Sequence, residues 1–301
     1  AACFVVGWWA GGKAFLAIGW VALATWVMWQ HPVSPNSFHN LLRGWSLLLA
    51  GSFGLVCLFG SRRPLFSRAL LSLSVTLFLA VALGSMGPVT STEAKQTVAA
   101  EFVRRNDETM KRLNDLIATH PKEWNQVASR IPQLAALPAE TEKQLTKISQ
   151  GGLAVFPALL ALESLMALAL AWAIYHRLSR ARLGAPLRPL REFRFNDQLV
   201  WGLITGLTIV FLPTLTSFRG VGRNLLLFFG ALYAIRGLGV LAWFLAPGLF
   251  VTALTVGFAL LWLPIIQVFA ITGFVLLLIT AFGLGLGDTW ADWRRRARST
   301  T

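Results

Sequence analysis

The segment Leu159–Leu170 reads LLALESLMALAL, and it decides the class of fold. It belongs to an apolar run over 151–177, long enough for a helix to cross a hydrocarbon core of ~30 Å, which takes about 20 residues. Similar runs recur along the chain. The segment also holds one carboxylate, Glu163. Ionisable side chains at membrane depth are rare, so this one indicates a role in packing or in function.

The amino-acid composition is that of a membrane protein. Of 301 residues, 55% are hydrophobic and only 13% are charged, a balance that soluble domains rarely show. We therefore predict an all-α integral membrane protein with about eight or nine transmembrane helices. The predicted apolar runs cover 2–10, 14–30, 40–60, 67–87, 151–177, 198–217, 223–245, 247–262 and 265–286.

A polar region interrupts these runs, and we predict that it is a water-exposed helical insertion. Its first helix should end before Pro121, because proline breaks the helical pattern. A second short helix should hold Trp124, and a third should lie near 139–149. The predicted segments are N-terminal transmembrane helices (1–88), the extracytoplasmic insertion (89–150) and C-terminal transmembrane helices with a basic tail (151–301).

The formal net charge is +14, and many arginines gather in short segments next to apolar runs. Such segments usually stay in the cytoplasm, so we place the loop 61–68, the loop 177–194 and the C-terminus there. The insertion then lies outside. We expect anionic lipid headgroups as partners of the basic segments. A nucleic-acid partner is not expected.

Signatures of soluble enzymes are absent from the sequence, which has no Walker loop, no HExxH and no GxSxG in a strand–turn–helix setting. We therefore expect neither an enzyme nor a bound cofactor. A metal site is not expected either, because His31 and His39 share a loop that offers no acidic or cysteine ligand. Cys3 and Cys57 lie in apolar runs, and we expect no disulfide framework.

Two ionisable side chains lie inside apolar runs, and we predict that they pair. Glu163 is about 12 residues, or ~18 Å, from the outer end of its run, and Arg236 is about 13 residues, or ~20 Å, from the outer end of its own. Each would neutralise a charge that costs a few kcal/mol near the bilayer centre. Two interpretations stay open: a buried pair that only fixes helix packing, or a polar site that binds a solute or moves a proton.

Other positions complete the candidate site. Gln267 and Asn224 are secondary polar candidates in the apolar runs. Gly202 and Gly206 have GxxxG spacing, for which close packing within the chain is the favoured interpretation. The residues expected at the membrane interface near the C-terminus are Trp290, Trp293, Arg294, Arg295 and Arg296.

Three segments carry a family resemblance: PLREFRFNDQLVWG (189–202), GRNLLLFFGALYAIRGLGVLAWF (222–244) and GLGLGDTWADWRRR (283–296). Together they resemble the YybS-like family of uncharacterised bacterial membrane proteins, mainly over 151–298. The resemblance implies a fold similar to the substrate-binding S-components of energy-coupling factor transporters, with a small-molecule site among the helices. The chain departs from that pattern in its longer insertion and in Arg236, where the resemblance implies an uncharged residue such as glutamine.

Two functions of different classes follow. The first is a membrane protein of S-component-like architecture that binds or translocates a small solute, with Glu163 and Arg236 as the polar core of its site. The second is a structural or accessory subunit of a larger membrane complex. In that case the insertion 89–150 docks on a protein partner.

Overall fold

The structure is a computed structural model, and its described residues form helices and no strand, which confirms the all-α class for that part of the chain. The described residues are 1–30, 37–59, 63–86, 91–130, 136–179, 183–245, 247–260 and 267–294.

Eleven α-helices lie within these ranges. They are α1 (Ala2–Trp9), α2 (Ala14–Gln30), α3 (Ser37–Phe59), α4 (Leu65–Met86), α5 (Ser91–Thr119), α6 (Pro121–Arg130), α7 (Leu137–Leu178), α8 (Val200–Phe211), α9 (Arg219–Phe244), α10 (Pro247–Leu260) and α11 (Gln267–Ala291). Short 3-10 turns cover Leu190–Glu192, Asp197–Leu199 and Pro213–Phe218.

Five described segments are long and apolar enough to cross a membrane, judged by length and composition. They are Ser37–Phe59, Leu65–Ser85, Leu137–Leu178, Pro213–Phe244 and Ile271–Ala291. This is fewer than the sequence predicts. The run 198–217, for example, forms an α-helix of only 12 residues, shorter than the about 20 residues that a straight crossing needs. The described part of the run 247–262 is a helix of 14 residues.

α7 joins two elements that the sequence predicts as separate. A helix near 139–149 and a transmembrane helix from residue 151 were expected, but one helix of 42 residues runs over Leu137–Leu178. The helix continues through the glycine pair Gly151–Gly152, and Gly152 packs closely. An added Cβ there would lie 3.1 Å from the ring of Phe102. The predicted boundary between the insertion and the C-terminal helices therefore falls inside a helix.

The chain divides into two compact units, and α7 contributes to both. The first unit comprises Ala1–Pro64, Arg68–Pro157 and Ile174–Gly184. The second unit comprises Leu65–Ser67, Ala158–Ala173 and Ala185–Thr301.

In the first unit, the insertion packs against its neighbours through aromatic and polar contacts. Phe38 on α3 and Phe102 on α5 both pack on Phe156 of α7, with ring centroids 6.1 and 6.5 Å apart. Further along, Asn106 and Ser149 exchange hydrogen bonds of 2.8 and 3.0 Å. Because residue numbers rise on α5 as they fall on α7, the two helices run antiparallel.

Arg68, also in the first unit, has a packing role that its place in the predicted cytoplasmic loop 61–68 does not suggest. It lies in the first turn of α4 and is buried. Its Nη1 donates a hydrogen bond to the carbonyl oxygen of Leu183 at 2.7 Å. Gly184, with a φ of +146°, allows this approach, because an added Cβ would lie 2.7 Å from Nη2 of the arginine.

In the second unit, glycines let the helices approach closely. An added Cβ at Gly206 of α8 would lie 3.2 Å from the carbonyl oxygen of Gly222 on α9, which confirms the predicted close packing of this glycine within the chain. At the crossing of α9 with α11, an added Cβ at Gly237 would lie only 1.6 Å from the carbonyl oxygen of Ala281. The backbones of α9 and α11 therefore touch.

Candidate functional site

A buried arginine on α9 is the centre of the candidate site. Arg236 is 2% exposed, and Asp288 on α11 is 1% exposed. Nε of Arg236 donates to Oδ2 of Asp288 at 3.0 Å, and Nη2 donates to the main-chain carbonyl oxygen of Asp288 at 3.1 Å. Two bonds to one residue fix the orientation of the guanidinium and tie α9 to α11.

A second arginine shares the same carboxylate. Nη2 of Arg294 donates to Oδ2 of Asp288 at 2.6 Å. Its Nη1 donates to the carbonyl oxygens of Arg191 and Phe193 at 3.0 and 3.1 Å. Asp292, with a φ of +42°, turns the chain after α11 so that Arg294 points back into the unit. The network therefore ties the end of α11 to the segment that precedes α8.

Asp197 supplies the remaining negative charge of the site. Nη1 of Arg236 donates to Oδ1 of Asp197 at 2.6 Å. The side chain of Asp197 is 59% exposed, whereas that of Arg236 is 3% exposed. Arg236, Arg294 and Asp288 are all buried, and two guanidinium groups with one carboxylate leave an excess charge of about +1. The exposed carboxylate of Asp197 therefore balances a buried positive charge.

Aromatic rings form one wall of the site. The ring centroid of Phe195 lies 5.3 Å from Cζ of Arg236, within cation–π distance. Phe195 also meets Tyr233 edge to face at 5.0 Å and stacks on Phe66 at 5.5 Å. Phe195 and Tyr233 belong to the buried core of the second unit. The guanidinium of Arg236 thus lies between carboxylates and an aromatic core.

Two buried polar atoms of the network have no hydrogen-bond partner among the described residues. They are Oδ1 of Asp288 and Nε of Arg294, one acceptor and one donor. Buried polar groups are almost always bonded in proteins, and leaving one unbonded costs about 1–3 kcal/mol. The network therefore contains one acceptor and one donor that no described residue satisfies.

Glycines bring the charged residues within reach of one another. An added Cβ at Gly285 would lie 1.9 Å from the carbonyl oxygen of Tyr233, and one at Gly239 would lie 2.5 Å from that of Leu190. α11 and the segment around Leu190 therefore lie directly on the backbone of α9. This close approach lets acids from both elements reach one arginine.

The predicted pair of Glu163 with Arg236 is not formed. Arg236 is bound to Asp288 and Asp197 instead. Glu163 lies on the exposed side of α7, and its side chain makes no ion pair or hydrogen bond with any residue that the structure describes. Among the described residues, Arg236 therefore lies in a buried charge network and Glu163 lies outside that network.

The physical reason is the register of α7 against α9. The backbone N–H of Ala158 donates to Oδ1 of Asn224 at 2.9 Å, which sets these two residues level. Further along α7, Leu165 packs on a core that contains Leu232 and Tyr233 of α9. Both of these residues come after Asn224, so the two helices run parallel. Arg236 is twelve residues past Asn224, but Glu163 is only five past Ala158. The difference of seven residues separates Arg236 and Glu163 by about 10 Å along the helices.

Asn224 bonds backbone groups of α7 and of its own helix. Besides accepting from Ala158, it donates from Nδ2 to the carbonyl oxygen of Gly220 at 2.8 Å. Pro157, which directly precedes Ala158, lies inside α7 and disturbs the helical hydrogen-bond ladder. Asn224 thus bonds the backbone of α7 next to this proline. Gln267 begins α11, and its side chain lies outside the described part of the chain.

The predicted interfacial residues near the C-terminus separate into three groups. Trp290 is exposed and Trp293 is partly buried, which leaves their interfacial role a prediction. The prediction for Arg294 is wrong, because the turn after α11 brings its side chain into the buried network. Arg295 and Arg296 lie outside the described residues.

Sequence reasoning missed both acids of the site. The sequence alone suggests an interfacial helix end for Asp288, and nothing in it singles out Asp197. One signal was available for Asp288, since it lies one helical turn after Gly285. Small residues mark the face of a helix that meets another helix, and a buried arginine requires an acid on such a face.

These features define a polytopic α-helical membrane protein with a buried charge network in its C-terminal half. The chain belongs to the family described as Predicted membrane protein (DUF2232), whose model matches residues 40–277. That range includes Asp197 and Arg236 and ends before Asp288 and Arg294. No curated protein and no solved structure matches the chain.

Proposed function

We propose that the second unit binds a small solute carrying one anionic group, a carboxylate or a phosphate, at Arg236. The observation that carries this proposal is the charge balance, in which the exposed carboxylate of Asp197 neutralises a buried positive charge. A solute anion that replaces this carboxylate keeps the balance and leaves the bonds between Arg236 and Asp288 in place. Such a role agrees with the solute binding implied by the resemblance to S-components.

The geometry of the network suits an exchange of anions at one arginine. Arg236 uses Nε and Nη2 to hold Asp288, and Nη1 to hold Asp197. The unbonded Oδ1 of Asp288 and Nε of Arg294 offer an acceptor and a donor to a further polar group of the solute. The ring of Phe195 offers an apolar surface beside the guanidinium. We infer a solute with an anionic group, a neighbouring hydroxyl or amine, and a small apolar part.

Isothermal titration calorimetry on the purified full-length protein tests this proposal. The probes are acetate, inorganic phosphate and benzoate, with benzamide as the uncharged match for benzoate. Asp197→Asn removes the competing carboxylate, so we expect anion binding to tighten about tenfold and benzamide to stay unbound. Asp292→Asn is the matched control, because Asp292 also pairs with a surface arginine, Arg194, outside the buried network.

A second variant assigns the binding to Arg236. In the Asp197→Asn background, Arg236→Gln should abolish anion binding, with the thermal transition reporting that the protein is folded. The proposal is wrong if Asp197→Asn binds none of the three anions more tightly than Asp292→Asn does.

The second candidate function is an accessory subunit that docks a protein partner through the insertion. The observation that favours it is the exposure of the C-terminal half of α5, where no residue from Asp107 to Thr119 is buried. We expect charge reversal at Lys111 and Arg112, both exposed, to remove a stoichiometric partner that co-purifies from native membranes. Reversal at the exposed Lys95 is the control, and a partner retained by the first variant contradicts this role.

We also propose the bacterial cytoplasmic membrane as the location, with a cytoplasmic C-terminus and with anionic lipid headgroups at the basic segments. Exposed arginines in the segment between α7 and α8, among them Arg188, support a contact with headgroups. Cysteine labelling in intact cells tests the orientation. A cysteine at the exposed Ser129 of the insertion should react with an impermeant maleimide, and one at Arg188 should not. The reverse pattern contradicts the orientation.

A further inference from the structure

One face of α7 in the second unit is apolar, exposed and interrupted by a single charge. Leu159, Glu163, Met166 and Leu170 are all exposed, and Met166 reaches 72%. Their spacing of three and four residues places them in one stripe along the helix. Glu163 lies near the centre of that stripe. The helix belongs to a segment long and apolar enough to cross a membrane.

The other face of the same helix is already used for packing. Ala158, Leu168 and Trp172 are buried there, and Leu162 and Leu165 pack on the core of the second unit. α7 therefore directs one face toward that core and leaves the Glu163 stripe uncovered. The exposure of Glu163 is not a sign of a loosely packed helix, since Trp172 is fully buried.

A carboxylate on such a face requires a partner. A charged side chain at the centre of a transmembrane helix is costly, and such residues usually pair with another polar group. Arg236 is engaged by Asp288 and Asp197, and the described residues offer Glu163 no other cation. The basic residues that the structure does not describe all lie outside the apolar runs, in loops, the insertion or the C-terminal tail. A cation at the depth of Glu163 would therefore come from another polypeptide.

We propose that the stripe formed by Leu159, Glu163, Met166 and Leu170 docks a transmembrane helix of another polypeptide, and that this helix carries a lysine or arginine at the depth of Glu163. The apolar residues give the contact surface, and the ion pair specifies which helix binds and at what register. This inference is independent of the solute site at Arg236.

A second copy of the same chain does not provide a suitable cation at the depth of Glu163. In a parallel symmetric pair, each residue keeps its depth in the membrane. Because Ala158 is level with Asn224, Glu163 is level with about the fifth residue beyond Asn224. The nearest exposed cation of the candidate spans in the second unit is Arg223, about 9 Å away along the helices. Charge complementarity therefore favours a different polypeptide.

Synthetic transmembrane peptides provide a direct test with the full-length protein in phosphatidylcholine vesicles. One leucine-based peptide carries a single central lysine, a second has leucine at that position, and a third has the lysine near one end. Association is measured by energy transfer between labelled peptide and labelled protein. We expect the central-lysine peptide to bind about tenfold more tightly than the other two, because a polar contact between helices in a bilayer is favourable. A tenfold difference corresponds to about 1.4 kcal/mol.

Variants of Glu163 decide whether the charge causes this preference. Glu163→Gln should bind all three peptides equally, and Glu163→Asp should retain the preference for central lysine. Because the side chain is exposed, both variants should keep the thermal midpoint of the wild type. The proposal is overturned if wild type does not distinguish the peptides, if Glu163→Gln keeps the preference, or if Glu163 instead drives association between copies of the protein.

Discussion

Arg236 on α9 holds Asp288 on α11 through two hydrogen bonds, one to the carboxylate at 3.0 Å and one to the main-chain oxygen at 3.1 Å. Both residues are buried, and Arg294 binds the same carboxylate oxygen at 2.6 Å. One buried acid thus binds two buried cations. The stability of the second unit should depend on that acid more than on any ion pair at its surface.

Asp288→Asn should be strongly destabilising. The variant leaves two buried guanidinium groups facing a neutral amide, and removing one partner of a buried ion pair typically costs about 3–5 kcal/mol. Asp292→Asn is the control, because it removes an exposed pair with Arg194, and exposed pairs contribute at most about 1 kcal/mol. Unfolding of the purified protein in mixed detergent micelles measures both. Equal losses in the two variants would show that the Asp288 network is not the stabilising one.

Gly237→Ala should prevent α9 and α11 from packing. The added Cβ would lie 1.6 Å from the carbonyl oxygen of Ala281, and backbone cannot give way as a flexible side chain does. Gly283→Ala on α11 is the matched control, because no atom lies within 4 Å of its added Cβ. Yield and thermal midpoint after purification should fall sharply for the first variant and stay level or rise slightly for the second. A well-folded Gly237→Ala protein would contradict the crossing.

Asn224→Ala should weaken the contact between α9 and α7. It removes the acceptor for the N–H of Ala158 next to Pro157, at an expected cost of about 1–2 kcal/mol. Thr208→Val is the control, because the hydroxyl of Thr208 bonds only within its own helix, to Ile204. Denaturant titration compares the two free energies of unfolding. If Thr208→Val loses as much stability as Asn224→Ala, the bond from Asn224 to α7 does not stabilise the protein.

Gly152→Leu should displace α5 from α7, whereas Gly151→Leu should not. An added Cβ at Gly152 lies 3.1 Å from the ring of Phe102, and no atom lies within 4 Å of one at Gly151. Hydrogen exchange of backbone amides in α5 reports the difference, with faster exchange expected only in the Gly152 variant. Identical exchange in both variants would contradict the packing of the insertion on α7.

The sequence predicts the class of fold and the ends of several helices well, because runs of apolar residues are a local property. α2 (Ala14–Gln30) covers the predicted run 14–30. Whether a helix continues through a glycine or a proline is harder to predict, since it depends on groups from other helices. Phe102 packs on Gly152 and Asn224 bonds next to Pro157, and neither contact can be read from the sequence of α7.

The partners of Arg236 were unpredictable for a related reason. Depth estimated from the ends of apolar runs places Glu163 and Arg236 level, but the bond between Ala158 and Asn224 shifts them by about 10 Å. The actual acid, Asp288, follows Arg236 by 52 residues and reaches it where glycines let two backbones touch. Charge and depth identify the residue that needs a partner, and helix register decides which partner it meets.

A pair of double-mutant cycles tests the central claim most directly. One cycle combines Arg236→Gln with Asp288→Asn, and the other combines Arg236→Gln with Glu163→Gln, with free energies of unfolding measured for every variant. We expect a coupling energy of about 1–3 kcal/mol for Arg236 with Asp288, and less than about 0.5 kcal/mol for Arg236 with Glu163. Coupling to Glu163 without coupling to Asp288 would contradict the network described above.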